Sequence, residues 1–239
     1  LTMGERLKHR QAVVTGGGRG IGRAIALAFA REGADVCVTA RTASEIEAVA
    51  HEIETLGRRA LAIPADVTDP AAVQRLRDEV LGAWGGVDLL VNNAGWGVFK
   101  PVLELTLEEW ESTLAVHLRG AFLCTQAFAP AMIARGGGVI LNVSSMSAYR
   151  GAPEYGPYGA AKAALNHLTQ TLAAELKPHR IRVVAICPGP TASRLRSHHF
   201  PNEDPTRIMQ PEVVADLALF LASEEARGIS GAAVNIHHY

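Results

Sequence analysis

Short runs of consecutive apolar residues alternate along the chain with longer stretches in which apolar and polar positions repeat at helical spacing. Gln11–Thr15, Asp35–Ala40, residues 59–63, residues 88–92, Gly138–Val143, residues 181–186 and residues 232–236 are of the first kind. Short apolar runs bounded by turn residues predict strands buried on both faces. Between them the pattern predicts helices over Gly20–Arg31, residues 42–56, residues 69–83, residues 106–134, residues 158–176 and Pro211–Ala222. Thr42 with Glu45, and Thr106 with Glu109, have the spacing of capping boxes. Asp69 followed by Pro70 has the order of an N-cap and a first-turn proline. In the helix after Thr106, Leu114, Leu118 and Phe122 fall on one stripe. Strands joined by helical crossovers predict an α/β fold. The expectation is a doubly wound parallel sheet of seven strands, with helices on both faces, in a single domain over residues 1–239. Residues 189–210 lack periodicity and follow the C-terminal end of a strand, where open α/β sheets bind ligands. They are a candidate substrate lid.

Composition narrows the class. The chain has 239 residues, 48% hydrophobic and 20% charged, with a formal net charge of −1. It is too apolar and too weakly charged to be disordered throughout. That balance offers no electrostatic footprint for nucleic acid or an acidic membrane surface. No apolar run approaches the roughly 18–20 residues that span a bilayer. The first ten residues are polar and basic, without the apolar core of a secretion signal. Cys37, Cys124 and Cys187 are odd in number and widely spaced, which predicts reduced core thiols of a cytoplasmic protein. His198-His199 and His237-His238 are adjacent pairs without a supporting carboxylate or thiol cluster, so no metal site is expected.

The first strand runs into Thr15-Gly16-Gly17-Gly18-Arg19-Gly20-Ile21-Gly22. Glycines there let the backbone turn tightly and approach a pyrophosphate, whose charge meets free amides at the helix N-terminus. The strict G-x-G-x-x-G spacing is absent, so a ligand-free turn remains an alternative on this segment alone. Four more motifs follow in order. They are Asn92-Asn93-Ala94-Gly95 after the fourth strand, Ser145 at the end of the fifth, Tyr158-Gly159-Ala160-Ala161-Lys162 opening a long helix, and Pro188-Gly189 after the sixth strand. Together they span nearly the whole chain and resemble the short-chain dehydrogenase/reductase family. Within it, the compact length, the glycine turn and the short lid are most similar to 3-oxoacyl-(acyl-carrier-protein) reductases.

The resemblance implies a Rossmann-type domain and a hydride transfer between NADP(H) and a carbonyl compound or secondary alcohol, with a 3-oxoacyl thioester as one candidate. Two other readings stay open: a secondary-alcohol, sugar or steroid-like dehydrogenase, and a regulator that senses NADP(H) without turnover. The implied cofactor contacts are Gly16, Gly18, Arg19, Gly20, Ile21 and Gly22 in the turn, Asp66 and Val67 at the adenine, and Asn92 at the ribose. Ala94, Gly95, Tyr158, Lys162, Pro188, Gly189 and Thr191 complete them, with Ser193 as the rival hydroxyl to Thr191. The second strand ends in Ala40-Arg41. An acid at its end would hold the ribose diol of NAD, whereas an arginine accommodates the 2′-phosphate of NADP, so Arg41 and Arg19 point to NADP(H).

Tyr158 and Lys162 are four apart and share a helix face. An ammonium about 4 Å from a phenol contributes on the order of 4 kcal/mol at an effective dielectric of about 20, enough to bring a pKa of about 10 toward neutrality. The implied roles are Tyr158 as proton donor and acceptor, Ser145 as hydrogen-bond partner of the carbonyl oxygen, and Lys162 as the perturbing cation. One position departs from the family pattern: His117 stands where an asparagine is common. A histidine keeps the backbone carbonyl attributed to the proton relay, and either titrates near neutral pH or is simply packed. Self-association as a homotetramer or homodimer is expected, through apolar stripes on residues 106–134 and 158–176. The terminal His237-His238-Tyr239 would either fray or reach a neighbouring subunit.

Overall fold

Each of the seven expected strands is present in the computed structural model, which describes residues 4–237. They are β1 (Gln11–Thr15), β2 (Asp35–Ala40), β3 (Ala60–Pro64), β4 (Leu89–Asn92), β5 (Gly138–Val143), β6 (Ile181–Pro188) and β7 (Ala233–Ile236). All pair in parallel in one sheet of order β3-β2-β1-β4-β5-β6-β7. Strand order reverses between β1 and β4, which opens a crevice at their C-terminal ends. The helices are α1 (Gly20–Arg31), α2 (Ala43–Thr55), α3 (Pro70–Trp84), α4 (Leu107–Leu114), α5 (Gly120–Ala134), α6 (Gly156–Leu176), α7 (Arg194–His199) and α8 (Pro211–Ala222).

The sheet separates two cores because successive strand residues point to opposite faces. Ala12 and Val14 of β1 and Val36 and Val38 of β2 pack with Ile25 and Phe29 of α1, Ile46 and Val49 of α2 and Val214 of α8. Val13 and Cys37, one position along, pack instead with Leu76 of α3, Phe128 and Met132 of α5 and Ala173 of α6. Each fully buried aliphatic side chain contributes about 1.5–3 kcal/mol, so a one-residue slip of register would invert both cores. No helix among the described residues is long and apolar enough to cross a membrane.

Local signals are met unevenly. Asp69 accepts from the Ala71 amide at 2.9 Å and caps α3. The Thr106–Glu109 capping box forms in both directions, at 3.1 and 2.8 Å. The Thr42–Glu45 box does not form: Thr42 makes no side-chain cap, and Glu45 turns to arginines instead. The single helix expected over residues 106–134 is split by a π-type turn, Ala115–Arg119. The wider turn rotates the buried face onto Val116, His117, Cys124 and Phe128. Leu114 and Leu118 are therefore only half-buried, and Phe122 is exposed. The expected lid is not structureless. Ser193 caps α7 by accepting from the Arg196 amide at 3.2 Å, and a Thr191–Met209 bridge ties the segment's ends. His238 and Tyr239 lie outside the described residues.

Candidate active site

A cleft of about 1720 Å³ lies along the strand ends at the reversal point. One small ligand occupies roughly 300–1,000 Å³, so there is room for a dinucleotide and a substrate together. The β1–α1 turn forms its floor. Gly16 and Gly20 have φ of +64° and +53°, where a side chain would be strained. A Cβ on Gly22 would stand 2.2 Å from the Gly16 carbonyl oxygen, and one on Gly18 would stand 2.9 Å from Glu45 Cβ. The turn is stitched to the end of β4. Thr15 Oγ1 accepts from the Asn93 and Ala94 amides, each at 3.0 Å, and Asn93 Nδ2 donates to the Thr15 carbonyl at 2.9 Å.

Of the residues expected at the cofactor, Gly16, Gly18, Arg19, Gly20, Ile21, Arg41, Asp66, Val67, Ala94, Gly95, Pro188, Gly189 and Thr191 all line the cleft. Gly22 lies beneath the turn and does not. Asn92 departs from expectation. Its side chain enters the interior, where Nδ2 donates to Asn142 Oδ1 at 2.9 Å and Thr125 Oγ1 at 3.2 Å. The next residue, Asn93, makes the contacts that hold the turn; its place in the same motif was the only signal for it. Asp66 accepts from the amide and hydroxyl of Thr68 at 2.9 and 2.8 Å. Burial pushes its pKa up, but those hydrogen bonds outweigh it and the net shift is down, so Asp66 stays ionised. Thr191 donates to the Gly189 carbonyl at 2.9 Å, whereas the Ser193 hydroxyl is engaged in capping α7.

Ser145, Tyr158, Lys162 and His117 meet at the inner end of the cleft. Ser145 lies two residues beyond β5, and its Oγ accepts from the Ser147 amide at 3.1 Å. The neighbouring Ser144 is engaged elsewhere: its buried hydroxyl donates to the Lys162 carbonyl at 3.2 Å. Tyr158 lies in the first turn of α6 and Lys162 one turn on. Lys162 Nζ donates to the Val143 carbonyl at 2.7 Å and stands 5.6 Å from the Tyr158 ring centroid.

The electrostatics differ from the sequence expectation. Burial pushes the Tyr158 phenol above its ordinary value, and a hydrogen bond with Ser145 only partly offsets this. Burial pushes Lys162 down to about 7. The same desolvation that would strengthen an ammonium–phenolate attraction makes both charges expensive to form.

His117 sits edge-on to the Tyr158 ring, with centroids 5.1 Å apart. Burial first, and the Lys162 charge second, hold its pKa well below the usual histidine value. The ring is thus neutral at neutral pH, and the near-neutral titration raised by the sequence is not met. Neither ring nitrogen has a hydrogen-bond partner among the described residues. The ring packs against Gly95, where a Cβ would come within 2.3 Å of it.

An aromatic wall that no sequence pattern announced stands beside Tyr158. Phe99 packs on Tyr155 at 4.6 Å, on Tyr158 at 5.3 Å and on His199 of α7 at 4.2 Å between centroids. His199 Nε2 meets the Gly97 carbonyl at 3.0 Å, and Arg196 Nη1 donates to the Tyr155 hydroxyl at 3.3 Å. The lid therefore rests on the loop after β4 and on the start of α6.

A family profile described as "short chain dehydrogenase" matches residues 10–204. An uncharacterised oxidoreductase of Mycobacterium tuberculosis is 38% identical over 97% of this chain and 92% of its own length. A 3-oxoacyl-[acyl-carrier-protein] reductase of Staphylococcus aureus is 35% identical over 95% of this chain and 96% of its own. The solved structure of a 7α-hydroxysteroid dehydrogenase, complexed with NADH and 7-oxo glycochenodeoxycholic acid, superimposes with a TM-score of 0.92. It is 33% identical, covering 99% of this chain and 96% of that one.

Proposed function

We propose that this chain, which belongs to the short-chain dehydrogenase family, reduces a carbonyl compound to a secondary alcohol with NADP(H). It is an oxidoreductase of a family that uses a nicotinamide cofactor. The observation that carries the reading is the convergence of Ser145, Tyr158 and Lys162 beside a glycine cradle. The cradle fits a dinucleotide because Gly16, Gly18, Gly20 and Ile21 line the cleft at the N-terminus of α1, where unpaired amides and the helix dipole receive an anion. The glycines allow the tight turn that puts them there. Gly16, Gly18, Gly20 and Ile21 would face the pyrophosphate, Asp66 and Val67 the adenine, and Thr191 and Gly189 the nicotinamide end. For NADP(H) over NAD(H) the support is Ala40 in place of an acid at the end of β2, with Arg41 and Arg19 on the rim.

When bound, the nicotinamide supplies the hydride. The Ser145 hydroxyl holds the carbonyl oxygen, and Tyr158 gives it a proton as negative charge develops there. Reduction needs the phenol protonated at the outset, and burial keeps it so at neutral pH. Burial pushes Lys162 down to about 7, so its ammonium gains and loses a proton near neutral pH. Its charge, 5.6 Å from the ring centroid, and that of Arg196 are at hand to stabilise the phenolate left behind. His117, neutral, buttresses the Tyr158 ring edge-on.

A 3-oxoacyl thioester fits this chemistry, supported by the likeness to the staphylococcal reductase. The aromatic wall of Phe99, Tyr155 and His199 favours a second reading, a secondary-alcohol or steroid-like dehydrogenase. Acetoacetyl thioesters, sugars, diketones and steroids, each followed by NADPH absorbance, separate the two. Tyr158→Phe should lower kcat/KM by about 10²–10⁴-fold while cofactor binding persists. Turnover that survives this change would refute the assignment, and the absence of turnover in the native chain with every substrate would favour a sensor. Assembly into a dimer or tetramer is supported by exposed Val102, Leu103, Leu107 and Phe122, and sedimentation tests it. A reducing compartment such as the cytoplasm suits its three free, buried cysteines.

A further inference from the structure

Three elements meet around one carboxylate at the rim of the cofactor cleft. Glu45 is in the first turn of α2, Arg19 in the glycine turn, and Arg194 at the start of the lid helix α7. Glu45 Oε1 takes Arg19 Nη1 at 2.8 Å and Arg194 Nη1 at 3.6 Å. A single oxygen thus stands between two guanidiniums. Glu45 is not a loose surface acid: its Cβ lies against Gly18, where an added Cβ would stand 2.9 Å away. Arg194 is well exposed apart from this contact. Ser193, next to it, lies over Gly20, so the lid begins directly above the turn.

A carboxylate oxygen held between two guanidiniums occupies the position that an oxygen of a phosphomonoester would take. Both are anions recognised by the same charge-assisted hydrogen bonds, and the phosphomonoester carries about twice the charge. We infer that Glu45 is a resident counter-anion that competes with the cofactor's 2′-phosphate for Arg19 and Arg194, and that Arg194 is a third phosphate-binding group, carried by the lid. This rests on the NADP(H) reading above. Glu45 then sets how strongly the enzyme distinguishes ribose with and without a 2′-phosphate. Displacing it transfers Arg194 from a protein carboxylate to the ligand, which ties the lid's position to the phosphate.

The test uses fragments and needs no turnover. Binding of 2′,5′-ADP and of 5′-AMP, ligands that differ only in the 2′-phosphate, is measured by calorimetry for the native chain, Glu45→Gln and Arg194→Met. Circular dichroism and thermal midpoints check that both variants remain folded. Glu45→Gln keeps the packing on Gly18 and removes only the charge. It should tighten 2′,5′-ADP by about five-fold at low ionic strength and leave 5′-AMP unchanged, with the gain shrinking as salt is added. Arg194→Met should weaken 2′,5′-ADP several-fold and again spare 5′-AMP. Unchanged or weaker 2′,5′-ADP binding in Glu45→Gln would overturn the inference, because Glu45 would then be orienting Arg19 rather than competing for it. Equal tightening of both ligands would overturn it too, and so would an unaltered Arg194→Met. If the native chain does not prefer 2′,5′-ADP but Glu45→Gln does, the competition stands and the NADP(H) reading of the native enzyme falls. A preference in the native chain that neither variant changes has the opposite meaning.

Discussion

Replacing Lys162 with methionine should change how stability varies with pH in a direction that the buried amine dictates. The residue is 4% exposed, and burial pushes the amine's pKa down to about 7 from its ordinary value of 10.5. Below pH 7 both the folded and unfolded chains hold the proton, and the folded state carries the full cost of a buried charge. Between 7 and 10.5 the unfolded chain holds a proton that the folded chain has released, so stability rises with pH through this window. Well inside it each pH unit corresponds to about 1.4 kcal/mol; because the folded amine is still releasing its proton near pH 7, the change between pH 7 and pH 9 is about 2 kcal/mol. Methionine fills a similar volume and carries no proton. Urea denaturation of both proteins at pH 6, 7, 8 and 9 gives the difference in unfolding free energy, from which titrating groups that do not sense the Lys162 charge cancel; His117, which does, titrates well below the range compared. The difference should change little from pH 6 to 7 and then shift by about 2 kcal/mol in favour of the native chain by pH 9. The constant offset is not diagnostic, because methionine leaves the Val143 carbonyl without its 2.7 Å donor. Parallel curves across the whole range would refute the reasoning: the folded amine would then be charged throughout.

Gly22→Ala would place a methyl group 2.2 Å from the Gly16 carbonyl oxygen, so the turn must open. Overpacking of this kind costs about 1–3 kcal/mol, and dinucleotide affinity should fall with the thermal midpoint; unchanged calorimetric binding would contradict the cradle. His117→Asn should leave the acidic limb of the pH–rate profile where it is, because the native ring is already neutral there. A limb that moves on this substitution would show that His117 does titrate in the working range.

The topology was legible because burial on both faces leaves strands as unbroken apolar runs and the crossovers as helical periodicity. Parity then assigns Val13 and Val14 to opposite cores without further information. Side-chain caps were less legible. Thr106–Glu109 and Thr42–Glu45 have the same spacing, yet only the first forms a box. Glu109 meets Lys100 nearby and still reaches back to its cap, whereas Glu45 is drawn to arginines that distant segments deliver. Spacing reports which local bonds are available, and tertiary partners decide between them. The π-type turn at Ala115–Arg119 shows the same limit. One wide turn re-aims the helix, and the stripe read from Leu114, Leu118 and Phe122 leaves the core.

The site divides along the same line. Residue types and their order singled out Ser145, Tyr158 and Lys162 as candidates, and helical geometry brought the last two onto one face. Their charge state was not written in that spacing. A four-residue step gives proximity, and proximity alone argues for a depressed phenol. Burial argues the other way, and burial is a property of the assembled cleft. Lys162 is enclosed by the end of β5 and turned to the Val143 carbonyl, so its ammonium loses water without gaining an anion. Its pKa falls, and with it the charge that would act on Tyr158. The phenol keeps its proton for the same reason. Reduction starts from that protonation state, with a proton to give and no phenolate to prepare. Oxidation must first create the phenolate in a medium that resists it. On the reading proposed above, the resting protonation state is the one reduction starts from, and oxidation should gain as pH rises and helps remove the phenol's proton. Forward and reverse rates measured from pH 6 to 10 should diverge in that sense; an oxidative rate that is flat with pH would mean the phenol is ionised throughout.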